Sequence, residues 1–251
     1  MNKPHKTDLQ KIVNYYQQDL AYIHDVGFSD FALQSAPGII EILHRNNVPS
    51  GLIVDLGCGS GLSAQEFIKA NYQVLGIDLS RSMIEIAKNK VPKAQFIVES
   101  IFKAKIPTCH AVTSIGECLN YLFDEEHSEE TLTNLFDRIY KALIPGGMFI
   151  FDLLEPCDTK ITQGFGEGED WIILFEKQEN REQKKLTRRI ITLRKKENYY
   201  QRNEEIHHVR LYESSEIVEK LRRVGFDVQT SSSYGQFNLA RGHIVFIATK
   251  P

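Results

Sequence analysis

An acid and three alternating glycines carry the clearest chemistry in this chain: Asp55, Gly57, Gly59 and Gly61 within "IVDLGCGSGLSAQEF", residues 53–67. The apolar run before them reads as a buried strand and the polar stretch after them as a helix. Glycines at such a junction let the backbone turn sharply and come close to something bound. A nucleotide phosphate, a zwitterionic amino acid and tight packing could each require that loop. A dinucleotide fingerprint would read G-x-G-x-x-G, whereas here the glycines read G-x-G-x-G behind an acid. A carboxylate beside a helix N-terminus repels a pyrophosphate and attracts an ammonium, directly or through water. Free backbone N–H groups and the helix dipole can still take a carboxylate. The pairing suits a bound α-amino acid.

A second acid, Asp78, ends the next strand in "VLGIDLS". An acidic residue about 20 positions after the loop accepts hydrogen bonds from ribose hydroxyls. Its charge also disfavours a 2′-phosphorylated ligand. A ligand with an amino-acid end and a nucleoside end has the shape of S-adenosylmethionine.

The elements that must position these residues follow from apolar spacing. Residues 8–24 and 30–46 carry helical periodicity. From residue 52, β-branched runs alternate with amphipathic segments: "LIVDL", "YQVLGID", "AQFIV", "HAVTSI" and "MFIFDLL" read as strands. Between them lie helices, one N-capped by Ser80 and one, "EETLTNLFDRIYKAL", ended by "PGG". Strands of this kind imply a parallel sheet covered on both faces, with ligands at its carboxyl edge. After residue 155 the style changes. "DWIILFEKQ", "KKLTRRIITLRKK" and "NYYQRNEEIHHVRLY" read as antiparallel strands, before a helix stopped at Gly225 and a last apolar strand, "HIVFIAT". That insert is expected over the carboxyl edge, capping a substrate pocket or forming a dimer surface.

At these residues the sequence resembles the class I S-adenosylmethionine-dependent methyltransferases, over roughly residues 50–155 and again near the C-terminus. "VDLGCGSG" looks like the family's first motif and "GIDLSRSMIEIAK" like its second, while "QFIVESIF", "AVTSIGECLNYL" and "LIPGGMFIFDLL" match the later strands in order. The resemblance implies an α/β fold: a Rossmann-like, seven-stranded, mostly parallel sheet with helices on both faces, an N-terminal helical lid and an antiparallel β insert. The expected division is a lid at 1–48, a cofactor-binding core at 49–155, a substrate cap at 156–212 and completion of the core sheet at 213–251. It implies that Asp55, Gly57, Cys58, Gly59 and Gly61 hold the methionine moiety and that Asp78 binds the ribose. Leu79 and Met83 would pack on the adenine, Ser100 and Ile101 would meet its edge, and Gly116 and Glu117 would lie beneath the cofactor. Two departures stand out. Ser100 falls where many members have an Asp, and His24, in "LAYIHD", falls where a tyrosine commonly precedes the Asp.

The expected activity is methyl transfer to a small-molecule acceptor by in-line displacement, releasing S-adenosylhomocysteine. Orientation supplies roughly 7–11 kcal/mol in such a reaction. A base is needed only where the nucleophile starts protonated. His24 is therefore the candidate base or orienter, and Asn120, Tyr121 and His207 are candidates for the acceptor pocket. His207 and His208 point to opposite faces of a strand, so at most one of them faces a pocket. Cys58, Cys109, Cys118 and Cys157 form no metal-ligand spacing, and no metal is expected.

Two other functions compete. The run "REQKKLTRRIITLRKK", with Tyr199 and Tyr200 following, could serve an RNA or other nucleic-acid methyltransferase. Nearby acids and a net charge of −3 offset it, and the run lacks company from a base-amino methylation motif. A regulator that binds S-adenosylmethionine without turnover is the second; a nicotinamide oxidoreductase conflicts with the glycine spacing and Asp55. The 251 residues, 42% of them hydrophobic and 25% charged, suit an ordinary globular chain with no apolar run long enough to span a bilayer. A cytoplasmic monomer or homodimer is expected.

Overall fold

A computed structural model of the chain describes residues 15–157 and 161–251. The expected first helix therefore lies partly outside the described residues, and α1 (Gln18–Gly27) overlaps its remainder; α2 (Asp30–Arg45) is the expected second helix. Then follow β1 (Gly51–Leu56), α3 (Leu62–Lys69), β2 (Tyr72–Asp78), α4 (Arg81–Lys90), β3 (Gln95–Val98) and β4 (Cys109–Ser114). A short 3-10 turn at Cys118–Asn120 leads to α5 (Glu129–Ala142) and β5 (Leu143–Leu154). Four long strands come next: β6 (Thr162–Gly168), β7 (Trp171–Asn180), β8 (Lys185–Lys196) and β9 (Tyr199–Arg210). The chain closes with α6 (Ser214–Val224), β10 (Asp227–Ser231), β11 (Ser233–Tyr234), β12 (Phe237–Asn238) and β13 (His243–Thr249).

The main sheet has seven strands in the order β10-β13-β5-β4-β1-β2-β3. β1, β2, β3, β4 and β5 pair in parallel; β13 runs antiparallel to β5, and β10 antiparallel to β13. The strands are apolar because helices cover both faces, and a hydrophobic cluster lies on each side. One side holds Phe136, Phe149, Phe151 and Phe246; the other holds Ile39, Phe67, Ile150 and Tyr234. The chain moves outward from β1 to β3, then returns to β4 on the other flank of β1. That reversal opens a crevice at the carboxyl ends of β1 and β4, where ligands bind in open sheets of this kind.

Local signals explain the boundaries. Ser80 caps α4 by accepting the Met83 N–H at 3.2 Å, and Ser128 caps α5 in a reciprocal capping box with Thr131. Gly225, at φ +117°, ends α6. β5 starts earlier than expected: it takes in "LIPGG" and shifts register where β4 joins it.

The insert is a four-stranded antiparallel sheet, β6-β7-β8-β9, one strand more than expected. β6, "TQGFGEG", has too little apolar alternation to announce itself. The sheet is pinned to the core where Tyr121 bridges Val209 and Leu122 N–H donates to the His208 carbonyl. Its inner face grips α1. The Asp19 carboxylate, 5% exposed, accepts from Asn203 at 2.6 Å and lies 3.4 Å from the Lys196 ammonium and 3.8 Å from the Arg194 guanidinium. Glu205 of β9 accepts the N–H groups of Tyr16 and Gln17 at 2.7 and 2.9 Å, where the chain enters α1. Among the described residues no helix is long and apolar enough to cross a membrane.

Candidate functional site

A cavity of about 860 Å³ lies between the carboxyl edge of the main sheet, helices α1 and α2 and the inner face of the four-stranded sheet. It has two regions: one against the glycine loop and one beneath the antiparallel roof.

The glycine loop is built for close approach. Gly57, Gly59 and Gly61 have φ of +77°, +52° and +79°, a region that strains other residues. A Cβ on Gly57 would lie 2.5 Å from Cys118 Sγ, while one on Gly59 would meet nothing within 4 Å. Gly59 thus leaves open space on the cavity side. The expectation of bare amides along the loop needs correction. Gly57 and Cys58 donate to the Ile77 carbonyl, Gly61 donates to that of Cys58, and Gly59 donates to Asp78 Oδ2 at 2.9 Å. The open N–H groups are those of the first turn of α3, which no helix can satisfy internally. Leu62 and Ser63 of that turn line the cavity, and the buried Ser60 hydroxyl beside them has no partner among the described residues.

The two acids sit at the ends of neighbouring strands. Asp55 is 2% exposed and accepts from Thr113 Oγ1 at 2.7 Å; burial pushes its carboxyl up to about 7. Asp78 accepts from Ser80 N–H at 2.8 Å as well as from Gly59, and burial raises it too. Leu79, Met83 and Ile101 line the cavity next to it. Ser100 does not: its hydroxyl turns to donate to Asp124 Oδ2 at 2.6 Å and accepts the Phe102 N–H. Asp124 itself lines the cavity. A carboxylate therefore reaches this end of the pocket from the segment after β4.

Gly116 and Glu117 also line the cavity, held by a residue the sequence reading missed. Asp152, fully buried near the end of β5, accepts from Gly116 N–H at 2.8 Å, Glu117 N–H at 2.9 Å and the Tyr234 hydroxyl at 2.8 Å. A carboxylate inside the apolar run "FIFDLL" was the available signal. Its grip holds Glu117 at φ +54°, a conformation rare outside glycine.

Under the roof the polar groups form a chain. Glu117 pairs with Arg188 of β8; Arg188 donates to the Tyr121 hydroxyl at 3.0 Å; Tyr121 and Tyr16 hydroxyls meet at 3.0 Å. The guanidinium holds the Glu117 carboxyl below its usual range. Burial pushes Tyr121 up to about 12 and raises Tyr16 well above its usual range, so both phenols keep their protons. Burial also lifts the Cys58 and Cys118 thiols well above their usual range, which removes them as nucleophiles near neutrality. His24 lines the cavity with Nδ1 buried and unpartnered among the described residues. Burial lowers it to about 4, making it a neutral imidazole and a weak base.

Two acceptor-pocket candidates lie elsewhere. The Asn120 amide, fully buried, donates to the Leu154 and Arg210 carbonyls and accepts the Leu154 N–H, so it stitches β5 to β9 and does not line the cavity. His207, also fully buried, pairs with Glu205 at 2.8 Å and packs behind the Tyr16 and Tyr121 rings. Tyr121 does line the cavity.

Residues 53–147 match the methyltransferase domain family. This match covers the core from β1 into β5, less than half of the chain. A Geobacillus sp. (strain WCH70) protein provisionally named a methyltransferase is 34% identical over 107 residues, 40% of this chain and 41% of that protein. The match thus spans about two fifths of that relative's length. A Clostridium acetobutylicum S-adenosylmethionine-dependent methyltransferase structure aligns with TM-score 0.76 at 21% identity, covering 92% of this chain and 97% of its own. A sugar N-methyltransferase from a Streptoalloteichus species aligns with TM-score 0.75 at 16% identity, covering 100% of this chain and 97% of its own. The similarity to both structures extends through the roof sheet, beyond the matched domain, and it is a likeness of fold.

Proposed function

We propose that this chain binds S-adenosylmethionine and transfers its methyl group to a small-molecule acceptor. One observation carries the reading: a single cavity joins a pocket suited to a two-ended nucleoside to a chamber with its own polar groups. Its volume lies toward the upper end of the roughly 300–1,000 Å³ usual for small-molecule sites, room for a cofactor and a modest partner.

The residues present fit the cofactor. Asp55 receives the ammonium, and the first-turn amides of α3 with Ser60 receive the carboxylate. Asp78 takes the ribose hydroxyls, and Leu79, Met83 and Ile101 pack on the adenine. Asp124, oriented from behind by Ser100, would accept from the adenine amino group. When bound, the cofactor supplies a methyl group already activated by its sulfonium. The chain's own task is then to orient the acceptor and exclude water, which the lid, Phe31, Phe175 and Ile190 around the cavity favour. Glu117, Tyr121 and Tyr16 are placed to hold the acceptor's polar atoms. His24, with its depressed basicity, serves as an uncharged wall of the chamber and as an acceptor of a hydrogen bond.

The nucleic-acid reading loses its support in the roof sheet. Arg188 turns inward to Glu117 and Arg194 to Asp19 and Asp170, while Arg189 and Arg202 pair with Glu204 and Lys184 with Glu216. Most of the basic run is neutralised by acids of the same molecule. The resemblance to a sugar N-methyltransferase adds a small-molecule precedent.

Calorimetry with S-adenosylhomocysteine tests the cofactor half, and tritium transfer from labelled S-adenosylmethionine into small metabolites tests the reaction. Binding without labelling of any low-molecular-mass fraction favours the regulatory alternative. Labelling confined to RNA favours the nucleic-acid one.

A further inference from the structure

The roof sheet places two cations face to face over the chamber. Lys177 of β7 and Arg188 of β8 are direct cross-strand partners, and both line the cavity. Like charges directly opposite one another destabilise a sheet. The outer face of the same two strands shows the usual remedy: Glu176 stands opposite Arg189. Inside, Glu117 pairs with Arg188. Among the described residues Lys177 has no carboxylate within ion-pair distance; its ammonium lies 5.5 Å from the centre of the Phe175 ring on its own strand. Asp152, the acid behind Glu117, is committed to Gly116, Glu117 and Tyr234. One cation is left over in a half-buried, mainly apolar chamber.

We propose that the methyl acceptor carries an acidic group, a carboxylate or a phosphate, and that Lys177 receives it. This rests on the small-molecule methyltransferase reading and names the class of its acceptor. Lys177 follows Ile173 and Phe175 on the inward side of β7, all three lining the cavity, so its ammonium is the polar end of an apolar wall. Burial and the Arg188 charge already lower its proton affinity, and an anion beside it relieves both. The Arg188–Glu117 pair stays intact in this arrangement, since a single carboxylate on Arg188 leaves the incoming anion one unmatched partner.

The test uses the full chain saturated with S-adenosylhomocysteine and titrated by calorimetry with succinate or inorganic phosphate at constant ionic strength in sodium chloride. Dimethyl succinate is the neutral control. The expected result is saturable binding of at least one anion and none of the diester. Lys177→Met should weaken that binding by about tenfold or more and Lys177→Arg by far less, with S-adenosylhomocysteine affinity unchanged in both. Preference for succinate assigns a carboxylate and preference for phosphate a phosphoryl group. Anion binding that is absent in the wild type, or equal in Lys177→Met, overturns the proposal while leaving the cofactor reading standing. Failure of the wild type to bind S-adenosylhomocysteine overturns that reading, and the acceptor assignment with it.

Discussion

Asp78 Oδ2 accepts the backbone N–H of Gly59 at 2.9 Å, while its Oδ1 accepts that of Ser80 at 2.8 Å. The end of β2 is thereby bound both to the glycine loop and to the cap of α4. Asp78 therefore holds the loop in shape, in addition to the sugar contact proposed for it.

Asp78→Ala accordingly removes two hydrogen bonds of the free protein and the proposed ribose contact together. Charged hydrogen bonds of this kind contribute about 1.5–3 kcal/mol each, so S-adenosylhomocysteine affinity should fall by about tenfold or more. Asp78→Asn keeps the side-chain length but presents an N–H₂ to one of the two amides, and should lose nearly as much. Calorimetry measures both. An unchanged dissociation constant in either variant would take Asp78 out of the site.

The second acid predicts a pH dependence. In the ligand-free protein burial holds the Asp55 carboxyl at about 7, above its ordinary 3.8. A group raised on folding contributes most stability below its unfolded value, and that contribution declines as pH rises through about 7. Ammonium binding needs the carboxylate, so cofactor affinity should climb from pH 6 to 8, with a slope approaching tenfold per unit below the transition. Titration in buffers of different ionisation heat should show proton release at pH 6 and little at pH 8. Asp55→Asn should bind weakly and lose the slope; a wild-type affinity flat across this range would contradict the assignment.

These two acids were legible in the sequence because each ends an apolar strand beside a turn, a position that fixes both its place and its direction. The parallel order of the core followed from the same strands. The roof was less legible. β7 shows Trp171, Ile173, Phe175 and Lys177 on one side, and β8 shows Leu186, Arg188 and Ile190, so the inward charges break an apolar alternation that could have been counted. In a run as basic as 181–202 that break is masked by charges on the other face. Asp124 was invisible for a different reason. It enters the pocket from a loop 24 residues after Ser100, and only folding brings the two together. Asn120 and His207 were misleading because both are polar residues in conspicuous places whose hydrogen bonds are spent on the frame.

The start of α1 depends on one carboxylate of the roof. Glu205 accepts from Tyr16 N–H, Gln17 N–H and the His207 ring, at 2.7, 2.9 and 2.8 Å. Glu205→Gln leaves one of the two chain N–H groups facing an amide donor, a loss of about 1–3 kcal/mol for a buried group. The effect should be local to α1 because the main sheet does not touch this carboxylate. Hydrogen exchange should quicken in residues 18–27 while β1 and β4 keep wild-type protection. Turnover should drop more than cofactor affinity. Uniformly faster exchange throughout the chain would mean that Glu205 supports global stability instead.

Glu117 and Arg188 form the buried ion pair of the chamber, with side chains 10% and 11% exposed. Removing one partner of such a pair strands the other charge and costs about 3–5 kcal/mol when burial is complete. Arg188→Met should approach that loss, and it also deprives the Tyr121 hydroxyl of a donor at 3.0 Å. The double replacement Glu117→Gln with Arg188→Met leaves no stranded charge and should recover most of the stability, because the desolvation cost disappears with the pair. Denaturant unfolding of wild type, both single variants and the double variant gives the coupling directly. A double variant as unstable as the sum of the singles would mean that the two side chains act independently. Activity should not return with stability: the chamber then presents an uncharged amide where Glu117 offered a carboxylate held at φ +54° by Asp152.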